Sequence, residues 1–223
     1  MNPKQLAAAN AVELVRNGMT VGLGTGSTAY WAIAMIGEKV SKNELQIKAI
    51  ATSKSSESQA INLGIPIVPF AEINQIDITI DGADEVDENL NLIKGGGGAL
   101  LREKIVASNS KQLVIIVDES KLVKHLGRFP LPVEVVPFGW EKAVQKLIAL
   151  HCMPTLRLEY HKPYITDNGN YIIDCAFDEI LNPEELQEKI NSIVGVVENG
   201  LFVNMASKVI AGLEDGQVKI FEK

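Results

Sequence analysis

Between Met19 and Val117, short and almost wholly apolar runs alternate with helix-patterned stretches, and this alternation constrains the fold more than any other feature. Met19–Leu23, Ile47–Ala51, Ile65–Val68, Ile76–Ile80 and Gln112–Val117 read as strands. A strand that is apolar on both faces must be covered on both, as happens in a parallel sheet flanked by helices. Residues 3–16, Ala29–Val40, Ser55–Asn62 and Ala99–Ser108 read as the covering helices, with Pro3 suited to a first turn and Gly18 and Gly64 just past helix ends. The expectation is an α/β domain with a doubly wound parallel sheet, Rossmann-like, in which ligands sit beyond the carboxyl ends of the strands.

The pattern changes near Phe129. FPLPVEVVPF is a proline-interrupted strand, followed by a helix over about Trp140–Leu150, then strands at Thr155–Tyr160 and Tyr171–Ala176. The turn TDNGN between those strands offers Asn168-Gly169 for positive φ. A helix capped by Asn182 runs to about Ile193 and leads into Val196–Phe202. This β-α-β-β-α-β order predicts a smaller α+β domain of split-βαβ, ferredoxin-like type over about 129–202. The tail has strands on either side of Asp215-Gly216 and is expected to return to the first domain, giving that domain residues 1–128 plus about 203–223.

Composition bounds the function. The 223 residues are 46% hydrophobic and 22% charged, an ordinary globular balance. A net charge of −7 argues against nucleic acid or an anionic membrane as partner, since both select clustered Lys and Arg, but leaves room for a small phosphorylated ligand. MNPKQLAAAN lacks the pattern of a signal peptide, and no apolar run approaches the ~20 residues of a membrane span. Cys152 and Cys175 form no C-x-x-C pair, which suits packing in a reduced cytoplasm rather than zinc binding. His125, His151 and His161 have no metal-ligand spacing and read as structural or surface residues, and Trp31 and Trp140 read as packing.

Four loops carry the chemistry. In GLGTGST, Gly22 to Thr28, a strand, a glycine-rich turn and a helix start make an anion site from backbone N–H groups and the helix dipole, with Ser27 and Thr28 adding hydroxyls. It matches neither the dinucleotide fingerprint, where Ser27 takes the place of the third Gly, nor the phosphate-binding loop of nucleotide hydrolases, where Lys should precede Ser/Thr. DGADEVDENL puts Asp81 at a strand end and Asp84 three residues on, a carboxylate pair suited to sugar hydroxyls and proton transfer. Glu85, Asp87 and Glu88 read as a solvated acidic loop, and calcium-loop spacing fails. KGGGGALLREK holds four consecutive glycines, Gly95 to Gly98, whose chain entropy is worth ordering only for close backbone approach to a ligand or for a moving loop. Lys94 precedes them and Glu103 lies in the helix that follows. VDESK ends the strand Gln112–Val117 and places Lys121 where it suits a phosphate. All four loops are expected to follow strands of one parallel sheet and to converge on one edge.

These four motifs in this order resemble the ribose-5-phosphate isomerase A family, and the likeness continues through GRFPLPVEV, TDNGN and NGLF over nearly the whole chain. The resemblance implies interconversion of D-ribose 5-phosphate and D-ribulose 5-phosphate in the non-oxidative pentose phosphate pathway, with Glu103 as proton acceptor. It implies that Thr25, Gly26, Ser27 and Thr28, Asp81, Gly82, Ala83 and Asp84, Lys94, Gly95, Gly96 and Gly97, and Lys121 line the sugar phosphate site. No metal and no cofactor are implied, and a homodimer or a tetramer is. Gly98 and Leu101 depart from the family pattern, which has Ala and a smaller or polar residue there.

On this reading Glu103 moves the proton between C2 and C1 through an enediolate. Lys94 and glycine-loop N–H groups stabilise the oxyanion, Asp81 and Asp84 open the furanose ring, and Gly26 to Thr28 with Lys121 grip the phosphate. The alternatives are a sugar-phosphate sensor lacking a base, which retention of Glu103 disfavours, an amino-sugar phosphate deaminase, which would place a histidine in one of these loops, and a CoA transferase.

Overall fold

The computed structural model describes residues 1–222. The first half of the chain runs α1 (Pro3–Val12), β1 (Thr20–Leu23), α2 (Ala29–Ser41), β2 (Lys48–Ala51), α3 (Lys54–Asn62), β3 (Ile78–Asp81), β4 (Glu85–Val86), β5 (Leu92–Ile93), α4 (Leu100–Ser108) and β6 (Leu113–Asp118). The second half adds β7 (Leu131–Val135), α5 (Trp140–Ile148), β8 (Met153–Leu156), β9 (Leu158–Glu159), β10 (Lys162–Pro163) and β11 (Tyr171–Ala176). It ends with α6 (Pro183–Asn191), β12 (Val196–Asn199), β13 (Leu201–Phe202), β14 (Lys208–Gly212) and β15 (Val218–Glu222). Packing divides the chain into two units: one holds Met1–Ala83, Arg102–Leu122 and the residues from Met205 on, the other Asp84–Leu101 and Val123–Asn204.

The first unit is built on a six-stranded sheet in the order β15-β14-β6-β3-β1-β2, parallel except for β15, which returns antiparallel on β14. Its central strands are buried along nearly their whole length, and Val21, Leu23, Ile78, Ile80, Val114 and Ile116 join Ala7, Ala8, Ala11, Ile33 and Ile36 of α1 and α2 in one core. The helices start where the chain supplies caps: Asn2 and Gln5 form a reciprocal capping box ahead of Pro3, and Ser53 accepts from the Ser56 N–H at the head of α3. The expected strand Ile65–Val68 shrinks to a single bridge between Ala49 and Ile67, because Pro66 and Pro69 supply no N–H to extend a ladder. The tail hairpin forms as expected, and its first strand enters the sheet beside β6.

The second unit carries a four-stranded antiparallel sheet in the order β12-β7-β11-β8, which with α5 and α6 is the split-βαβ arrangement the sequence predicts. Leu131, Val133 and Val135 on one face of β7 pack with Ala143, Leu147, Ile173, Cys175 and Ile190. In the TDNGN turn Gly169 takes positive φ and Asn168 does not. A second, three-stranded sheet, β13-β5-β4, also belongs to this unit. This differs from the sequence expectation, which kept residues 84–101 and 123–128 with the first domain. The reason is pairing: the two-residue strand β5 bonds to β4 on one side and to β13 on the other instead of extending the parallel sheet.

Candidate functional site

In the first unit, GLGTGST leaves the carboxyl end of β1 and Asp81 ends β3 next to it. The Asp81 carboxylate is 1% exposed, and its Oδ1 accepts from the Thr25 N–H at 3.0 Å and the Gly82 N–H at 2.8 Å. Those amides hold the charge in a fixed direction beside the turn. Thr25 does not offer its hydroxyl outward: its Oγ1 lies 2.7 Å from Thr52 Oγ1, 2.8 Å from Ser53 Oγ and 3.1 Å from Ser56 Oγ. The turn is thereby tied to β2 and to the cap of α3. Gly26 takes φ +102° and is exposed with Ser27, while Thr28 precedes α2 without making a side-chain cap bond. The backbone N–H groups opening α2 and the Ser27 hydroxyl are donors of the kind an anion site uses.

A cation stands beside these donors. Lys4 Nζ lies 2.9 Å from Ser27 Oγ, brought there by α1, 23 positions earlier in the chain. Sequence reasoning missed Lys4, because no motif surrounds it and the juxtaposition exists only once α1 docks on the sheet. Lys121 sits in the short 3-10 turn after β6, where Asp118 accepts from the N–H and hydroxyl of Ser120 and fixes the loop. Glu103 occupies the first turn of α4 and is 4% exposed, so a carboxylate there feels the positive end of the helix.

The second unit holds Asp84 and the glycine loop. The Asp84 N–H bonds the Ile93 carbonyl at 2.8 Å, and its Oδ2 accepts from the Gly96 N–H at 2.7 Å. A Cβ on Gly96 would stand 2.6 Å from Asp84 Oδ1, so glycine is what allows the loop to come this close. Lys94 is 2% exposed, its N–H bonds the Gly200 carbonyl at 2.9 Å, and its ammonium lies 5.5 Å from the centre of the Phe202 ring. Gly98 leaves room for Tyr164, whose hydroxyl donates to the Gly97 carbonyl at 3.3 Å; a Cβ on Gly98 would run into that ring. Glycine at position 98 is therefore what lets the Tyr164 ring stand against the loop.

GLGTGST, Asp81 and Lys121 thus follow β1, β3 and β6 of one parallel sheet, as the sequence predicts. The KGGGG loop does not: it follows β5 of the small antiparallel sheet, which corrects the expectation of four loops on one sheet. The missed signal is Leu92–Ile93, a strand too short to show a period in sequence.

The model of the family Ribose 5-phosphate isomerase A (phosphoriboisomerase A) matches residues 48–216. A ribose-5-phosphate isomerase A of Bacillus mycoides is 54% identical over 97% of this chain and 98% of its own length. One of Bacillus cereus is 57% identical over 97% of this chain and 98% of its own. A solved D-ribose-5-phosphate isomerase in complex with phospho-erythronic acid superposes with a TM-score of 0.97 at 41% identity, covering 100% of both chains. The ribose 5-phosphate isomerase from Plasmodium falciparum does so with a TM-score of 0.96 at 42% identity, over 99% of this chain and 97% of that one. The fold is shared throughout, and the chain belongs to the ribose-5-phosphate isomerase A family.

Proposed function

We propose that this protein interconverts D-ribose 5-phosphate and D-ribulose 5-phosphate with Glu103 as the single proton-transfer base. The observation that carries the reading is the burial of Asp81, Lys94 and Glu103, each under 5% exposed. Burying ionisable groups is costly, and a chain that keeps three of them within these motifs has a chemical use for them.

The steps follow from the substrate. The furanose opens when a proton leaves the anomeric hydroxyl and another reaches the ring oxygen, a transfer suited to Asp81 and Asp84. Glu103 then removes the proton on C2. The electron pair forms a C1–C2 double bond and charge moves onto O1, where the Lys94 ammonium and loop N–H groups stabilise it. A proton passes from O2 to O1, C2 becomes the carbonyl carbon, and Glu103 returns its proton to C1. The isomerisation is redox-neutral within the substrate, so its stoichiometry calls for no redox cofactor. Gly26 to Thr28, with Lys121 and Lys4, hold the phosphate, Thr25 braces that turn, and Gly82, Ala83 and Gly95 to Gly97 line the sugar. Phospho-erythronic acid, bound by the relative above, is a phosphorylated acid whose planar carboxylate resembles an enediolate, which supports this route.

We further read the protein as a cytoplasmic homodimer, with a tetramer as the second possibility. Two free buried cysteines suit a reducing compartment, and no helix among the described residues is long and apolar enough to cross a membrane. Phe138 and Val194, 95% and 96% exposed at one end of the small unit's sheet, support self-association.

The test is ketose formation from ribose 5-phosphate in EDTA by wild type and by Glu103→Gln. The variant is expected to fold and to lose on the order of 10²–10⁴ in rate. A folded wild type that turns over no ribose 5-phosphate overturns the isomerase, and a fully active Glu103→Gln overturns the choice of base.

A further inference from the structure

Four residues of the KGGGG loop carry no side chain, and Gly96 and Gly97 are exposed, so neither burial nor side-chain packing fixes the middle of the loop. Something else must. Arg157, between β8 and β9, is held rigidly: its N–H bonds the Ile172 carbonyl, its carbonyl accepts from the Tyr164 N–H, and its guanidinium lies 5.8 Å from the Tyr164 ring centre. Nε and Nη2 engage both carboxylate oxygens of Asp174 on β11, Nε at 2.9 Å. The remaining arm, Nη1, reaches the Gly95 carbonyl at 2.9 Å and the Gly96 carbonyl at 3.1 Å.

The Gly95 carbonyl and the Gly96 N–H belong to one peptide group. Its oxygen is gripped by Arg157 and its N–H donates to Asp84 Oδ2 at 2.7 Å. Asp174, Arg157, the peptide and Asp84 therefore form a chain of hydrogen bonds in which charge alternates. A cation on the carbonyl polarises the peptide and strengthens its N–H as a donor, and the rigid fork of a guanidinium sets the orientation of the peptide plane.

We propose that Arg157, anchored by Asp174, is a positioning residue for Asp84, acting through the Gly95–Gly96 peptide. The proposal rests on the reading of Asp84 as a catalytic carboxylate. Arg157 touches no substrate in this scheme; it fixes the direction from which the Gly96 N–H meets Asp84, and so the direction of that carboxylate's other oxygen.

The test is a four-cornered cycle of wild type, Arg157→Ala, Asp84→Asn and the double variant, measured for kcat, KM and thermal midpoint. Arg157→Ala is expected to lower kcat by roughly 10- to 100-fold, since misplacement by about 1 Å costs that much, while KM moves by no more than about threefold. In the Asp84→Asn background the same change is expected to alter kcat by less than about twofold, because there is no carboxylate left to position. An equal loss in both backgrounds, as general damage to the fold would give, overturns the proposal, as does an unchanged kcat in Arg157→Ala. If Asp84→Asn alone retains the wild-type kcat, the reading of Asp84 falls, and this outcome is distinct from an additive cycle. Should Arg157→Ala fail to fold, Arg157→Lys and Asp174→Asn decide. Lysine keeps the charge but cannot span one carboxylate and two carbonyls, so kcat should be intermediate, and a wild-type kcat in both variants overturns the proposal.

Discussion

A methyl group added to Gly24 would land on the Asp81 carboxylate, so these two residues cannot keep their places if Gly24 becomes anything larger. Gly24 also bonds through its N–H to the Ile80 carbonyl at 2.9 Å, which draws the turn after β1 against the end of β3. Gly24→Ala is expected to displace Asp81, costing about 1–3 kcal/mol of stability from overpacking and roughly 10- to 100-fold in kcat. Thermal unfolding and steady-state kinetics check both. Retained kcat would show that Asp81 need not stand where it does.

Lys4 predicts a different kinetic signature. Its ammonium stands over the Ser27 hydroxyl, remote in sequence from the base and the glycine loop. Lys4→Ala should raise KM for ribose 5-phosphate by about tenfold, the loss of roughly 1.4 kcal/mol from one charge-assisted contact, with kcat within about twofold. Inhibition by inorganic phosphate should weaken in parallel, and its dependence on salt should flatten.

Stability should fall in acid partly through Asp77. Hydrogen bonds from Lys111 and from the Thr20 N–H hold its carboxyl below the ordinary carboxylate value, against a smaller opposing effect of burial. A depressed folded-state pKa contributes stability that is present above the unfolded value of about 3.9 and is lost as pH falls through the folded one. Asp77→Asn is therefore expected to cost about 1 kcal/mol near neutrality, Lys111 being half-exposed, and progressively less as pH falls through the lowered folded-state pKa, below which the two proteins should unfold alike. Denaturant titrations across pH 2–7 measure this.

Glu134, fully buried on β7, sets two substitutions against each other. Its Oε1 accepts from Thr166 Oγ1 at 2.9 Å and Asn170 Nδ2 at 2.8 Å, whereas Oε2 meets no donor among the described residues. Glu134→Gln keeps an oxygen for those two donors, fills the same volume and removes any buried charge. It should be neutral or stabilising by up to about 1 kcal/mol. Glu134→Ala leaves a cavity and two donors unserved, and should cost about 2–5 kcal/mol. Chemical denaturation of both variants distinguishes the cases, and a Gln variant as damaged as the Ala variant would mean that the charge itself is required.

Much of this protein is decided by local sequence. Val21, Ile78, Ile80 and Val114 to Val117 need cover on two sides, and that alone commits the first half to a helix-flanked parallel sheet. Asn182 announces a helix start because a capping side chain acts on its own neighbours, as Asn2 and Ser53 also do in the structure. Asp81 and Lys94 stand out because strand-end carboxylates and glycine runs are costly to keep without use, whereas Glu103 is marked by the family resemblance of its motif. The tertiary structure decided what depends on partners distant in the chain. Ile65–Val68 has strand composition but too few N–H donors for a ladder, and Leu92–Ile93 becomes a strand only because Leu201 and Phe202 arrive beside it. Lys4 reaches Ser27, and Arg157 reaches Gly95 and Gly96 across 61 to 62 positions, through packing that no local pattern encodes. Hydrophobic periodicity and capping are properties of neighbours in sequence. The direction of a carboxylate is set by whichever groups the completed fold brings within 3 Å of it, as the Thr25 and Gly82 amides meet Asp81.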